Sequence, residues 1–278
     1  MPNAPVAHRP TVVIPMYKAD LSTAEMRSLN RAVDTMAGHD IYFVGPRHLQ
    51  ANLAQLGQHY GPRVQLMLFD DPYFAGIKGY NALMHSRGFY TAFASYSHIL
   101  IAQTDTLILR DELAAWCQQD YAYIGAPWFA GGSQPSQPLR FMGVGNGGFS
   151  LRRVADFLHV LERPRRIPNF IKARTGETGK PGSWVRRLKH EWLLAYNFAP
   201  CFPTSNEDFF WGILVPAACP FFRVPGLEAA SRFAFEVEPR HLYALTGEQL
   251  PFGCHAWERY DREFWLQVLP ELRSAALS

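Results

Sequence analysis

The sequence contains no apolar run long enough to cross a membrane. A spanning helix needs about 18 consecutive apolar residues, whereas the longest runs here, such as 98–102, have the length of a β-strand. The first residues lack the charged-then-apolar pattern of a secretion signal. The four cysteines (Cys117, Cys201, Cys219 and Cys254) form no C-x-x-C pair, so we expect free buried thiols. Together these absences predict a cytoplasmic protein.

Charged residues are also scarce, at 18% of the 278 residues, against about 25% in a typical globular domain. Aromatic residues make up 14%, which is ample for a packed core and excludes a disordered chain. The 21 prolines and 21 glycines exclude a coiled coil. The motifs G-x-S-x-G, H-E-x-x-H and G-x-x-x-x-G-K-[ST] are absent, so the sequence offers no common nucleophile or P-loop assignment.

The net charge of +3 is unevenly distributed. Residues 151–191 hold 11 Lys and Arg against 4 Asp and Glu, which leaves the remainder of the chain mildly acidic. Such a segment favours an anionic partner. One hypothesis is therefore a membrane- or polyanion-binding module, with peripheral membrane contact through 160–200. We expect no nucleic acid partner, because no nucleic-acid-binding motif is present.

Apolar segments of strand length alternate with segments of helical periodicity over the first 125 residues. Predicted strands cover 11–14, 40–44, 64–69, 98–102 and 121–124, and predicted helices cover 22–37, 48–60, 79–96, 111–119 and 154–161. This alternation indicates βαβ units and a mostly parallel sheet. We predict a single α/β domain with an irregular second half from residue 126 and a basic insertion at 160–200, which regains helical character at 184–196.

Four short motifs could carry chemistry, and each has a structural alternative. Asp105 follows a buried strand, where it could bind a cation on a diphosphate or simply cap a turn. The stretch 143–148 contains G-x-G-x-x-G, but its mid-chain position disfavours a dinucleotide fingerprint; a loop close to a ligand or a tight turn remains. Asp208, beside Glu207, could be a general base or a helix N-terminal acid. His255 could be a ligand or a structural histidine.

The order of the motifs is more specific than any one of them. In sequence they are I-P-M-Y-K, G-Y-N-A-L, L-I-A-Q-T-D-T, Y-I-G-A-P-W, V-G-N-G-G-F-S-L-R, N-E-D and F-G-C-H-A-W. This order resembles the DUF5672 family of glycosyltransferase-like proteins over about residues 11–258, more weakly across 160–200. It is also similar to the β-1,4-galactosyltransferase group. The resemblance implies a GT-A-like fold, with a nucleotide-sugar-binding half over 1–125 and an acceptor-binding half over 126–278.

The resemblance also implies roles for individual residues. Asp105 and His255 would bind a divalent cation, Mn²⁺ or Mg²⁺, on the donor diphosphate. Asp208 would be the general base, and Glu207 would bind the acceptor sugar. The other implied donor-binding residues are Pro15, Tyr17, Lys78, Asn81, Gly147 and Gly148. Trp128, Phe149 and Trp211 would offer flat apolar faces to the acceptor, with core packing as the alternative for each.

The implied reaction is transfer of a sugar from a nucleotide-sugar donor to a saccharide or lipid-linked acceptor. We expect the donor to be a UDP-sugar. One departure from the pattern bears on the cation. The usual D-x-D is reduced to Gln103-Thr104-Asp105, which leaves the metal requirement open. A nucleotide-sugar-binding protein without transfer activity is therefore a second hypothesis, and the basic module is the third.

Overall fold

The computed structural model describes residues 9–162 and 206–274. The strands are β1 (Pro10–Pro15), β2 (Asp40–Pro46), β3 (Val64–Phe69), β4 (His98–Ala102), β5 (Leu107–Ile108), β6 (Tyr123–Ile124), β7 (Pro127–Phe129), β8 (Phe141–Val144), β9 (Phe149–Arg153), β10 (Ala234–Phe235) and β11 (Gly253–Cys254). The α-helices are α1 (Thr23–Thr35), α2 (Gln50–His59), α3 (Gly76–Met84), α4 (Arg87–Ala92), α5 (Leu113–Cys117), α6 (Val154–Glu162), α7 (Glu207–Phe209), α8 (Val215–Ala218), α9 (Leu227–Phe233), α10 (Pro239–Leu245), α11 (Arg262–Val268) and α12 (Glu271–Ser274). Short 3₁₀ helices cover Arg47–Leu49 and Asp71–Phe74, and a π-helix at Phe210–Leu214 joins α7 to α8.

Six strands form the central sheet, in the order β3-β2-β1-β4-β9-β6. The first four are parallel, and β9 runs antiparallel to both β4 and β6. The predicted mostly parallel α/β sheet is therefore confirmed. From β1 the chain moves outward to β2 and β3 and then returns to the other side of β1 with β4. This reversal opens a crevice at the carboxyl ends of β1 and β4, where ligands bind in such sheets.

Apolar side chains cover both faces of this sheet. In β1, Val13 belongs to the core on one face, whereas Val12 and Ile14 belong to the core on the other. Alternate residues of a strand point to opposite faces, so a strand covered on both sides is mostly apolar. The polar residue of the run 11–14, Thr11, is itself buried and donates a hydrogen bond to Asp40 O. The aromatic-rich composition supplies much of these cores, including Trp211 and Phe149.

The described residues also form two smaller sheets. β7 and β8 form an antiparallel pair, and β5, β11 and β10 form a three-stranded sheet in which β10 and β11 are parallel while β5 is antiparallel to β11. A third apolar cluster, which includes Trp257 and Trp265, packs around this sheet. The sequence did not predict β10 or β11, because two-residue strands leave no periodicity to detect.

The helix predictions were correct in position and less accurate in extent. Ser22 and Glu25 form a capping box at the start of α1, in which each side chain accepts a hydrogen bond from the backbone N–H of the other residue. The predicted helix over 79–96 is wrong as one element: it consists of α3, which begins at Gly76, and α4, where the Ser86 side chain accepts a hydrogen bond from Phe89 N and starts a new helix. Asp111 accepts a hydrogen bond from Leu113 N, but α5 has only five residues.

Several predictions can be compared with only part of the chain. Cys117, Cys219 and Cys254 are free and buried as expected, while Cys201 lies outside the described residues. Most of the basic insertion and the predicted helix at 184–196 also lie outside them. Within 9–162 and 206–274, no helix is both long and apolar enough to span a bilayer.

Candidate active site

The small sheet brings three side chains from distant parts of the sequence to one edge. Glu236 follows β10 and His255 follows β11, and because these strands are parallel their carboxyl ends meet at the same edge. Asp105 stands shortly before β5, which is antiparallel to β11, so it reaches this edge as well. Asp105 also lies three residues beyond the end of β4. The edge therefore adjoins the crevice of the central sheet.

His255 is held between the two carboxylates. Its Nδ1 lies 2.9 Å from Glu236 Oε1, and its Nε2 lies 3.3 Å from Asp105 Oδ1. Burial alone would lower the pKa of His255, but the two carboxylates outweigh burial and raise it to about 10. Burial likewise favours a higher pKa for Asp105, yet its contact with His255 lowers that pKa overall. The predicted neighbours Asp105 and His255 do lie together.

The spacing of this pair fits a cation site with two protein ligands once His255 has given up its proton, because only the neutral imidazole binds a metal. Two ligands at right angles, each about 2.1 Å from a metal, lie about 3 Å apart, which is close to the separation of Asp105 Oδ1 and His255 Nε2. Glu236 bonds the opposite ring nitrogen, as carboxylates behind metal-bound histidines commonly do. It cannot share the metal, and among the described residues no group of three His, Cys, Asp or Glu side chains forms a metal site. A cation here would need ligands from a bound molecule.

The Gly-rich loop between β8 and β9 packs against this edge. Asn146 has a positive φ of 75°, and its side-chain oxygen accepts hydrogen bonds from Gly148 N and Phe149 N. A Cβ on Gly147 would lie 2.0 Å from Glu207 Oε1, and one on Gly148 would lie 2.2 Å from His255 Nε2. Both positions therefore need glycine because neighbouring side chains approach so closely. The loop joins two strands, which excludes a dinucleotide fingerprint.

Asp208 lies on the other side of this loop. Its Oδ2 accepts a hydrogen bond from Gly147 N at 3.2 Å, and its Oδ1 accepts one from Phe209 N at 2.8 Å. Burial raises the pKa of Asp208 to about 7, with the nearby charges of Glu207 and Glu236 adding to the effect. Asp208 is thus a carboxylic acid that changes charge near neutral pH.

Glu207 occupies a different environment from its neighbour in sequence. Its side chain is 2% exposed and its Oε1 lies 2.8 Å from Nη2 of Arg152, which is fully buried. Its backbone N–H donates to Asn81 Oδ1 at 3.1 Å. The prediction that Glu207 binds the acceptor sugar therefore meets an obstacle, because this carboxylate faces an arginine inside the core.

The predicted donor-side residues follow β1 or lie on α3. Pro15 is buried at the end of β1, and Tyr17, two residues later, is 38% exposed. The ring of Tyr17 contacts Tyr80 edge-on at 6.4 Å, and its phenol interacts electrostatically with Asp105. Lys78 is exposed on α3. Tyr17 therefore borders the crevice, whereas the donor contacts of Pro15, Lys78 and Asn81 remain predictions.

Of the three predicted acceptor aromatics, one reaches the surface. Trp128 is partly exposed, packs on the backbone of Gly145 and stacks near Phe209 with a centroid distance of 6.3 Å. Phe149 and Trp211 are both 0% exposed. Neither buried ring has a surface to offer a sugar, so the structure favours core packing, the alternative considered for each.

The sequence prediction missed Arg152, Glu236, Tyr80 and Asn146. Arg152 and Ser150 are two residues apart in β9 and share one face of the strand, whereas Leu151 lies on the other face. Strand periodicity could therefore have placed Arg152 on an inward face. Glu236 follows the short strand β10, which gave no signal of its own. Tyr80 lies in the motif G-Y-N-A-L and Asn146 in V-G-N-G-G-F-S-L-R, and both contact the backbone of the Gly-rich loop. For these two residues, membership of a motif indicated the site better than the type of side chain did.

Comparison with solved structures supports the fold. The galactosyltransferase LgtC, solved in complex with donor and acceptor sugar analogs, matches with a TM-score of 0.51 at 13% identity, covering 96% of each chain. The glycosyltransferase GlyE of Streptococcus pneumoniae TIGR4 matches with a TM-score of 0.46 at 14% identity, covering 94% of this chain and 59% of GlyE. Mouse xyloside xylosyltransferase 1 matches with a TM-score of 0.47 at 11% identity, covering 90% of this chain and 98% of that one. The LgtC likeness shows a GT-A glycosyltransferase fold.

Sequence comparison gives a family. No curated protein matches this chain. Residues 63–255, more than half of the chain, match the family model described as a protein of unknown function, DUF5672. The resemblance seen in the motif order is confirmed, and the chain belongs to the DUF5672 family.

Proposed function

We propose that this protein is a glycosyltransferase that moves a sugar from a nucleotide-sugar donor to a hydroxyl group of a saccharide or lipid-linked acceptor. The observation that carries the proposal is Asp208. It is a carboxylate with a pKa of about 7, held by the backbone of Gly147 beside the Asp105–His255 edge of a GT-A fold.

Asp208 is the general base in this proposal. A base works best when its pKa lies near the operating pH, because it is then both available and strong enough to take a proton. Asp208 would accept the proton of the acceptor hydroxyl as that oxygen attacks the anomeric carbon. The attack would come from the side opposite the leaving diphosphate, so we expect inversion of configuration.

Asp105 and His255 are the residues that would hold a divalent cation, Mn²⁺ or Mg²⁺. Bound there, the cation would neutralise negative charge on the leaving diphosphate. Glu236 would orient His255 through Nδ1, and Tyr17 would lie against the nucleotide. The incomplete D-x-D supports the second candidate, a nucleotide-sugar-binding protein without transfer activity.

A thermal-shift panel tests donor binding first. It compares UDP-, GDP-, dTDP- and CMP-sugars, each with and without Mn²⁺. We expect that one class of nucleotide sugar, the UDP-sugars, raises the Tm, and that Mn²⁺ makes this rise larger. A panel without any shift would contradict both the transfer and the binding proposals.

The Asp208→Asn variant then separates transfer from binding. It should keep the wild-type shift with the selected donor and lose sugar transfer. If the wild-type protein binds the donor but neither transfers nor hydrolyses it, the non-catalytic candidate holds. If Asp208→Asn transfers sugar at the wild-type rate, the role given to Asp208 is wrong.

A further inference from the structure

We propose that Arg152 and Glu207 are positioning residues, a buried ion pair that fixes Asp208 and the Gly147 peptide relative to each other. This inference rests on the proposed function, because it assigns a role within the same site. It replaces the acceptor-binding role that the sequence resemblance implied for Glu207.

All three nitrogen atoms of the Arg152 guanidinium group make hydrogen bonds. Its Nη2 contacts Glu207 Oε1 at 2.8 Å, its Nη1 donates to Tyr90 OH at 3.0 Å, and its Nε donates to Ser150 Oγ at 3.1 Å. The ring of Tyr123 lies 5.6 Å from the guanidinium carbon. With no exposed surface and every branch bonded, Arg152 has no group free for a ligand.

Such a pair is not explained by stability alone. Removing two charges from water is costly, and well-packed apolar side chains of similar volume often stabilise a protein as much or more. An arginine fork does, however, fix several partners at defined angles. The ion pair is therefore better explained by what it holds in place than by its contribution to folding.

The ion pair holds the backbone of Gly147. Gly147 O accepts a hydrogen bond from Tyr80 OH at 3.3 Å and a longer one from Arg152 Nη2 at 3.5 Å. Gly147 N donates to Asp208 Oδ2 at 3.2 Å. The carbonyl of Gly147 is thus held by Arg152, while the N–H of the same residue orients the proposed base.

The same pair also fixes the start of the helix that carries Asp208. Glu207 is the first residue of α7, and its backbone N–H is bonded to Asn81 on α3. With its side chain bonded to Arg152, both ends of this residue are anchored. Asp208 is the next residue of α7, so fixing Glu207 also restricts the position of the Asp208 carboxylate.

An acceptor hydroxyl on Glu207 is the competing assignment. The Oε2 atom of Glu207 is buried and has no hydrogen-bond partner within the described residues. The two roles predict different kinetics. A positioning residue affects every reaction that uses Asp208, whereas an acceptor ligand affects only reactions with the sugar acceptor.

Hydrolysis of the donor by water makes that distinction, because water replaces the sugar acceptor while Asp208 still acts as base. The probes are UDP-glucose and UDP-galactose, and the variants are Arg152→Lys and Glu207→Gln. The matched control is Arg153→Lys, because Arg153 is the next residue of β9, faces the opposite side and pairs with the exposed Asp120.

We expect both test variants to hydrolyse the donor about 10- to 100-fold more slowly, with an unchanged thermal shift on UDP binding. Arg153→Lys should behave as wild type. Wild-type hydrolysis rates in both test variants would overturn the proposal, and a selective loss of transfer to sugar would then assign Glu207 to the acceptor.

A second measurement does not depend on activity. The pH at which Asp208 titrates can be obtained from unfolding free energies, by comparing each protein with its Asp208→Asn counterpart between pH 4 and pH 8. Arg152→Lys keeps the positive charge, so a lower titration pH in that variant reports that water has reached Asp208. An unchanged titration pH in Arg152→Lys would overturn the proposal even if the wild-type protein hydrolyses no donor, a result that would count against the proposed function only.

A double variant covers the case in which single variants do not fold. Arg152→Met combined with Glu207→Leu removes both charges and keeps the volume, so no unpaired charge is left in the core. We expect this protein to fold and to hydrolyse UDP-sugars about 10- to 100-fold more slowly. A folded double variant with wild-type hydrolysis would refute the positioning role.

Discussion

Replacing Asp208 with Asn should stabilise the protein at pH 8 while it abolishes transfer. The raised pKa of Asp208, about 7 against an ordinary 3.8, means that the folded protein resists ionising this group. Between pH 4 and pH 7 the folded state binds more protons here than the unfolded state, so stability falls as the pH rises. Asn cannot ionise, and the variant escapes this loss.

The magnitude follows from the two pKa values. Each pH unit between them corresponds to about 1.4 kcal/mol, so the full effect at pH 8 is about 4 kcal/mol. Asp208 keeps some contact with solvent, which weakens the effect. We therefore expect the variant to gain about 2 to 4 kcal/mol relative to wild type between pH 4 and pH 8, with no further change above pH 8.

Urea denaturation at several pH values measures this difference directly. The control is Asp34→Asn, the same substitution at a side chain that is 78% exposed and lies 4.0 Å from Arg63. In wild type the transfer rate should rise with pH and level off above about 7. A stability difference between Asp208→Asn and wild type that stays constant from pH 4 to pH 8 would refute the reasoning.

Three other changes test separate parts of the structure. Gly148→Ala should push the His255 ring off Asp105 and remove the Mn²⁺-dependent part of the thermal shift. The control Gly38→Ala, where a Cβ meets open space, should keep that part of the shift. An unchanged Mn²⁺ response in Gly148→Ala would exclude this edge as the cation site. Trp128→Ala should raise the acceptor KM with little change in donor binding, and an unchanged KM would remove Trp128 from the acceptor site. Ser22→Ala should lower the free energy of unfolding by about 1 kcal/mol in urea titrations, since it breaks the α1 capping box; no loss would show that the cap contributes nothing.

The fold was predictable because its strongest signals are local. The run 11–14 is β-branched throughout and is followed by Pro15, and Ser22 caps the helix that begins at Thr23. Such features act over a few residues and survive in a single sequence. The break between α3 and α4 was missed because Ser86 and its hydrogen bond to Phe89 N outweigh the helical pattern around them.

The site was only partly predictable because its partners are far apart in sequence. Asp105 and His255 could be named from motif order, and the structure places them 3.3 Å apart. Glu236 could not, because its position depends on the pairing of β10 with β11, two strands too short to show periodicity. The burial of Phe149 and Trp211 was equally hidden, since an aromatic residue beside a motif looks the same whether it packs inside or faces a ligand.

The different environments of Glu207 and Asp208 follow from helix geometry. Successive residues of a helix point about 100° apart, so two adjacent side chains at a helix start leave the backbone in different directions. Glu207 faces Arg152, whereas Asp208 faces the Gly147 backbone, and no ion pair to Asp208 occurs among the described residues. Burial disfavours the charged form of a carboxylate that has no paired cation, and it raises the pKa of Asp208 to about 7. The proposal that Asp208 is the base and Glu207 its anchor rests on this difference in their hydrogen-bond and ion-pair partners.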